Sequence, residues 1–152
     1  MPLGSHLADI PRLVDADVLD LYAGTGSLGL EALSRGARSA VFVERARRAA
    51  AIVRDNIEAV GLGGELVIMD VDAALGKLYR RFDVVFVDPP YELPDASVGS
   101  LLGALDRILA PDGIVIVHRQ VNATTPAPDF LRCVDERRYG DAVLTMFERP
   151  QS

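Results

Sequence analysis

Asp20-Leu21-Tyr22-Ala23-Gly24-Thr25-Gly26-Ser27-Leu28-Gly29 decides the reading of this chain. Residues 17–22, Asp17-Val18-Leu19-Asp20-Leu21-Tyr22, enter it as a strand. Residues 27–35 leave it as a helix with Leu28, Leu30, Ala32 and Leu33 inward and Gly36 as its stop. Between them stands G-x-G-x-x-G, a strand-to-helix turn in which missing side chains let backbone approach a ligand closely. Glu44 closes the next apolar run, about 20 residues on, where a carboxylate can accept both hydroxyls of a ribose. Loop and acid together point to a cofactor containing adenosine. A tight turn with close helix packing, and a solvated acid at a strand end, is the plainer alternative.

Outward from that turn, short apolar runs alternate with helical periods, the signature of an α/β fold. Residues 40–44 read as a second strand. Residues 46–60 read as a helix carrying Ala49, Ile52, Val53, Ile57 and Val60 at helical spacing, ended by Gly61. A third strand over 65–70 and a short helix over 73–79 follow. The unbroken Val84-Val85-Phe86-Val87 marks 83–88 as a strand buried on both faces, in the middle of the sheet beside 17–22. Residues 97–109 read as a helix, Pro111-Asp112-Gly113 as a turn, and 114–118 as a fifth strand. After a Pro-rich loop over 124–129, residues 133–138 and 142–148 read as an antiparallel pair around Tyr139-Gly140-Asp141. The expectation is a doubly wound, mostly parallel sheet with an antiparallel C-terminal hairpin.

Composition sets limits. At 152 residues the chain has room for one domain, and 49% hydrophobic with 25% charged residues is ordinary globular usage. Residues 1–11 read as a leader in which Gly4-Ser5-His6 looks like a vector-derived scar, leaving 12–152 as the domain. No apolar run approaches the length of a membrane helix. A single cysteine, Cys133, can form no internal disulfide and suits a reducing cytoplasm. His6, His118 and Cys133 form no zinc spacing, so no metal is expected. The net charge is −6, and Lys77 is the only lysine among 16 basic residues, an awkward balance for a nucleic-acid binder. Arg45, Arg47 and Arg48, with Arg137 and Arg138, could touch phosphate or could equally be solvated rims.

Asp88-Pro89-Pro90-Tyr91 follows the central strand at its carboxyl end, where open α/β sheets bind ligands. Two prolines fix the backbone and remove competing N–H groups. The Asp88 carboxylate and the Pro89 carbonyl are left as acceptors, and Tyr91 as a stacking face. That set suits a planar ring with an exocyclic amine, whose lone pair is freed for attack when its two hydrogens are accepted.

The run from Asp20 to Ala37, with Phe42-Val43-Glu44, Asn56 and Asp88-Pro89-Pro90-Tyr91, resembles the bacterial RsmD-type family. The likeness covers residues 17–148. It implies a seven-stranded, Rossmann-like methyltransferase sheet, S-adenosyl-L-methionine as cofactor, and methylation of a guanine N2 in small-subunit (16S) ribosomal RNA, on the RNA or the assembling subunit. Carried over by position, Asp20, Gly24 and Gly26 would hold the methionine end of the cofactor and Glu44 the ribose, with Tyr22 also among the cofactor-binding residues. Asp72 and Ala73 would hold the adenine with Arg45 flanking it, and Asp88, Pro89, Pro90 and Tyr91 the target base. Family members usually begin with a basic, RNA-contacting arm containing an Arg-Pro-Thr run, and no such run precedes Asp17; weak RNA binding by this chain is the expectation. The resemblance also leads one to expect an acid where His118 stands; that histidine reads as a hydrogen-bonded strand end outside the catalytic set. Nothing in the sequence calls for a dimer, so a monomer is expected. Adenine N6 methylation of nucleic acid, a dehydrogenase, and an inactive cofactor-binding module remain alternatives.

Overall fold

The computed structural model describes residues 12–150; the leader expected over residues 1–11 lies outside them. Their element order is β1 (Asp17–Leu21), α1 (Ser27–Ser34), β2 (Ser39–Glu44), α2 (Arg47–Val60), β3 (Glu65–Ile68), α3 (Val71–Leu75), β4 (Phe82–Val87), α4 (Asp95–Ala104), β5 (Leu109–Gln120), β6 (Arg132–Tyr139) and β7 (Ala142–Glu148). The strands form a seven-stranded sheet in the order β3-β2-β1-β4-β5-β7-β6. Strands β1 to β5 pair in parallel, while β7 is antiparallel to both β5 and β6.

Strand alternation divides the core between the two faces. Leu19, Leu21, Val43, Val85, Val87 and Val117 pack with Val71, Leu75, Val98 and Leu102, so α3 and α4 cover one face. Val18, Phe42, Val84, Phe86 and Ile116 pack with Leu28, Leu30, Leu33 and Val53, so α1 and α2 cover the other. Central strands buried on both faces explain the continuous apolar run in β4. The chain winds outward from β1 through β2 to β3, then returns to β4 on the opposite side of β1. The carboxyl ends of β1 and β4 therefore flank the point where strand order reverses, the usual ligand crevice of such sheets.

Three expected elements are placed differently. The helix expected over 97–109 is Asp95–Ala104, and the chain tightens into turns over 105–108 that still bury Leu105 and Ile108. The helix expected over 73–79 is Val71–Leu75, stopped at Gly76. Pro111-Asp112-Gly113 lies inside β5: Phe82 pairs with Leu109 and Val84 with Ile114, so the segment between Leu109 and Ile114 bulges out of the ladder. A bulge accommodates a proline that cannot donate. The fifth strand also runs on to Gln120, and this extension carries His118 and Arg119 past the end of β4.

Candidate active site

The glycine loop leaves β1 through left-handed backbone at Tyr22 (φ 61°), Gly24 (φ 60°) and Gly26 (φ 86°). A tyrosine in that region is strained, and such strain persists only where the surroundings over-determine it. The Glu44 carboxylate does part of this, accepting the Gly24 N–H at 2.8 Å on one oxygen and the Ala46 N–H at 2.8 Å on the other. Asn56 of α2 donates to the Thr25 carbonyl at 3.1 Å. A side chain at Gly24 would meet nothing within 4 Å, so the loop's outer face is open for a ligand. Gly29 is hemmed in instead. A Cβ there would sit 2.3 Å from Phe42, so only glycine lets α1 lie this close to β2.

Asp20 lies beneath the loop, 1% exposed. One carboxylate oxygen accepts the Gly29 N–H at 3.0 Å, and the other is buried with no partner. Burial pushes its pKa up to about 8 against the pull of that N–H, and the charges of Asp88 and Glu44 add to the rise.

A cavity of about 450 Å³ opens above the carboxyl edge, lined by Tyr22, Glu44, Arg45, Asp72, Asp88 and Pro90 of the expected residues. Met69, Asp70, Val71 and Leu93 line it as well, and no sequence motif marks them. Asp70 stands between β3 and α3, immediately before the first helical residue, a position that placing the helix start at Val71 rather than Ala73 would have brought to notice. Burial, with the carboxylates of Asp72 and Asp70, holds the Tyr22 phenol above its ordinary pKa. Asp20, Gly24, Gly26 and Ala73 are not in the lining: Asp20 and Gly26 are buried behind it, and Ala73 is exposed on α3.

A second cavity of about 530 Å³ lies on the hairpin side, lined by Asp88, Pro89, Tyr91, His118, Arg119, Gln120 and residues 139–142. The Asp88-Pro89-Pro90-Tyr91 segment is thus the wall between two chambers, with Asp88 facing both, Pro90 the first and Pro89 the second. Tyr91 is 73% exposed, a ring held out at the mouth. Arg119, 7% exposed, donates to Asp95 at 3.0 Å and to the Thr124 carbonyl at 3.3 Å, tying the end of β5 to the start of α4. His118 places Nδ1 2.8 Å from an Asp88 oxygen.

A family model described as conserved hypothetical protein 95 matches residues 6–148. The chain belongs to this family. It is the RsmD-type group that the motifs resemble. The chain is 38% identical to the ribosomal RNA small subunit methyltransferase D of Escherichia coli K12 over 91% of its own length and 71% of that protein's. The protein of the same name in Haemophilus influenzae is 28% identical, over 91% of this chain and 75% of that one. A solved structure of a conserved hypothetical protein from Streptococcus pyogenes superposes with a TM-score of 0.87 at 32% identity, covering 97% of this chain and 94% of that one.

Proposed function

We propose that this protein transfers the methyl group of S-adenosyl-L-methionine to the exocyclic N2 of a guanine in small-subunit ribosomal RNA. The observation that carries the reading is the pair of chambers meeting at Asp88, one rimmed by acids, the other walled by Pro89 and Tyr91. The names of the family relatives support its coarser part, methylation of small-subunit ribosomal RNA, and specify no base or atom.

The first chamber suits the cofactor on chemical grounds. Glu44, Asp70, Asp72 and Asp88 give it a negative rim for a cationic ligand that also carries a ribose diol and an adenine amine. Met69, Val71, Pro90 and Leu93 give it apolar walls for a flat ring. Glu44 has lone pairs left beyond its two backbone N–H bonds, so it can accept ribose hydroxyls without releasing the loop. Gly24 and Gly26 shape the loop for the methionine end, and Tyr22 and Arg45 stand beside the ring. Asp20 acts from behind, through Gly29 and the start of α1, and Ala73 shapes the first turn of α3.

When bound, the cofactor supplies a methyl group on positively charged sulfur, an electrophile ready for a nitrogen lone pair. The chain's residues prepare the nucleophile. The Asp88 carboxylate and Pro89 carbonyl accept the two amine hydrogens, drawing the nitrogen toward tetrahedral geometry and freeing its lone pair. The Asp88 carboxylate is also placed to take the proton that the nitrogen sheds once methylated. Pro90 keeps the segment rigid, and Tyr91 stacks on the base. Positioning and fixed acceptors of this kind lower a barrier by several kcal/mol. Residues 12–152 would act as one domain, a cytoplasmic monomer working on ribosomal RNA or on the assembling small subunit. No helix among the described residues is long and apolar enough to cross a membrane.

The test is transfer from radiolabelled S-adenosylmethionine to under-methylated small subunits and to their naked RNA, followed by digestion to nucleosides. N2-methylguanosine is the expected product; N6-methyladenosine would establish the adenine alternative, and no label above background would refute transfer by this chain.

A further inference from the structure

Parallel pairing sets Val87 of β4 beside Val117 of β5. One residue further, the same register brings His118 to Asp88, with Nδ1 2.8 Å from the carboxylate. An ionised carboxylate can only accept, so the hydrogen of this bond sits on Nδ1. A neutral imidazole has one ring hydrogen, and with that hydrogen committed to Asp88 the other nitrogen, Nε2, is a bare acceptor. His118 lines the second chamber together with Pro89 and Tyr91, where the target base would lie.

We propose that His118 is a specificity-determining residue, whose Nε2 accepts the N1 hydrogen of the purine whose amine Asp88 and Pro89 hold. The inference rests on the methyl-transfer reading above and extends it to the choice of base. Guanine presents its N2 amine beside N1–H, two donor groups in a row. Adenine presents its N6 amine beside a bare N1. In the Nδ1–H tautomer His118 meets guanine with acceptor against donor, but adenine with lone pair against lone pair. A site that leaves polar groups unpaired against the wrong substrate discriminates far better than one that relies on shape. Of the other polar side chains in the lining, Arg119 is engaged with Asp95 and backbone carbonyls, and Gln120, Tyr91 and Tyr139 can each donate or accept. Asp141, the other acceptor, belongs to the turn between β6 and β7, whereas His118 is bonded to Asp88 itself. The same bond occupies one Asp88 oxygen and leaves the second for one amine hydrogen, with the Pro89 carbonyl for the other.

The experiment begins by mapping the methylated guanine in ribosomal RNA. Two synthetic RNAs then carry either guanine or 2-aminopurine at that position; the analogue keeps the amine but has a bare N1. The wild-type protein should prefer guanine by about a hundredfold in kcat/KM, toward the upper end of what one polar group left unpaired is worth. His118→Ala should lower the guanine rate and bring the two RNAs within about tenfold of each other. Its S-adenosylmethionine affinity by calorimetry should be unchanged, which shows that the variant is folded. His118→Gln, whose amide oxygen reaches the place of Nε2, should recover the guanine rate; His118→Asn, which replaces Nδ1 alone, should not. A readout free of catalysis is the ring 15N spectrum of His118, which should show Nδ1 protonated and Nε2 bare, and should lose that pattern in Asp88→Asn. An unchanged guanine preference in His118→Ala, or a hydrogen found on Nε2, overturns the proposal. Absence of N2-methylguanosine from the wild-type reaction overturns the methyl-transfer reading itself, a different result.

Discussion

Asp20 is the residue where burial and charge conflict most sharply. Its carboxyl has one N–H donor and one orphaned oxygen, and its pKa rises from an ordinary 3.8 to about 8. Between those values the folded state keeps a proton that the unfolded chain has lost, so each step up in pH favours unfolding. Above about 8 both states are ionised and the effect levels off. Thermal melts of the ligand-free protein should therefore show stability falling as pH rises through that window. Asp20→Asn, which cannot ionise, should flatten the slope; parallel slopes for the two proteins would refute the assignment. Glu44 makes a different case, because both its oxygens already brace the loop. Glu44→Ala removes those bonds and the ribose acceptors together, and should weaken S-adenosylmethionine binding by about 1–3 kcal/mol in calorimetry. Asp88→Ala should abolish methyl transfer while the melting temperature stays close to wild type, since Asp88 lies at the chamber wall rather than in the core. Cofactor affinity should fall only modestly, one of the four acids of the first chamber's rim being lost.

Among the elements, α1 and β2 are held together by an absence. Gly29 faces Phe42, which is fully buried, and a methyl group there would overlap the ring at 2.3 Å. Gly29→Ala should destabilise the fold by about 1–3 kcal/mol in urea denaturation, the usual range for overpacking a filled core. Gly103, exposed in α4, has open space where an alanine methyl would stand, with nothing within 4 Å. Gly103→Ala should respond oppositely, gaining about 0.4–1 kcal/mol. Equal effects at the two positions would remove the packing argument. The same contrast explains how much of the architecture is legible in the chain. Strands β2 and β4 are readable because burial on both faces leaves continuous apolar runs, and β1 because its run is broken only by the buried Asp20. The end of α4 is not, because Leu105, Ile108 and Leu109 keep helical spacing while the backbone turns toward β5. Pro111 to Gly113 carries turn chemistry, yet its bulge is set by the pairing of β4 with β5, which local sequence does not record. The glycine loop, Glu44 and the Asp88 segment are readable as motifs, whereas the contact of His118 with Asp88 requires the register of two strands distant in sequence.

At the scale of the whole molecule, the question is how a chain of net charge −6 meets a polyanion. Many of its arginines are committed internally: Arg12 and Arg132 to Glu148, Arg38 to Asp17, Arg119 to Asp95 and Arg149 to Asp106. These pairs tie distant segments together and leave little of their charge for phosphate. Arg45, Arg47 and Arg48 are different, exposed where β2 passes into α2, with Arg45 on the rim of the first chamber. A footprint of three cations displaces few counterions, so the logarithm of RNA affinity should fall against the logarithm of salt with a slope of about −2 to −3. Fluorescence titration of a small-subunit RNA fragment at several salt concentrations checks this. Arg45→Ala with Arg47→Ala and Arg48→Ala should bring the slope toward zero while S-adenosylmethionine affinity falls only through Arg45. A much steeper slope in the wild-type chain, or one that survives the triple substitution, would place the main phosphate contacts elsewhere. The hairpin arginines Arg137 and Arg138, next to the second chamber, would then be the next to replace.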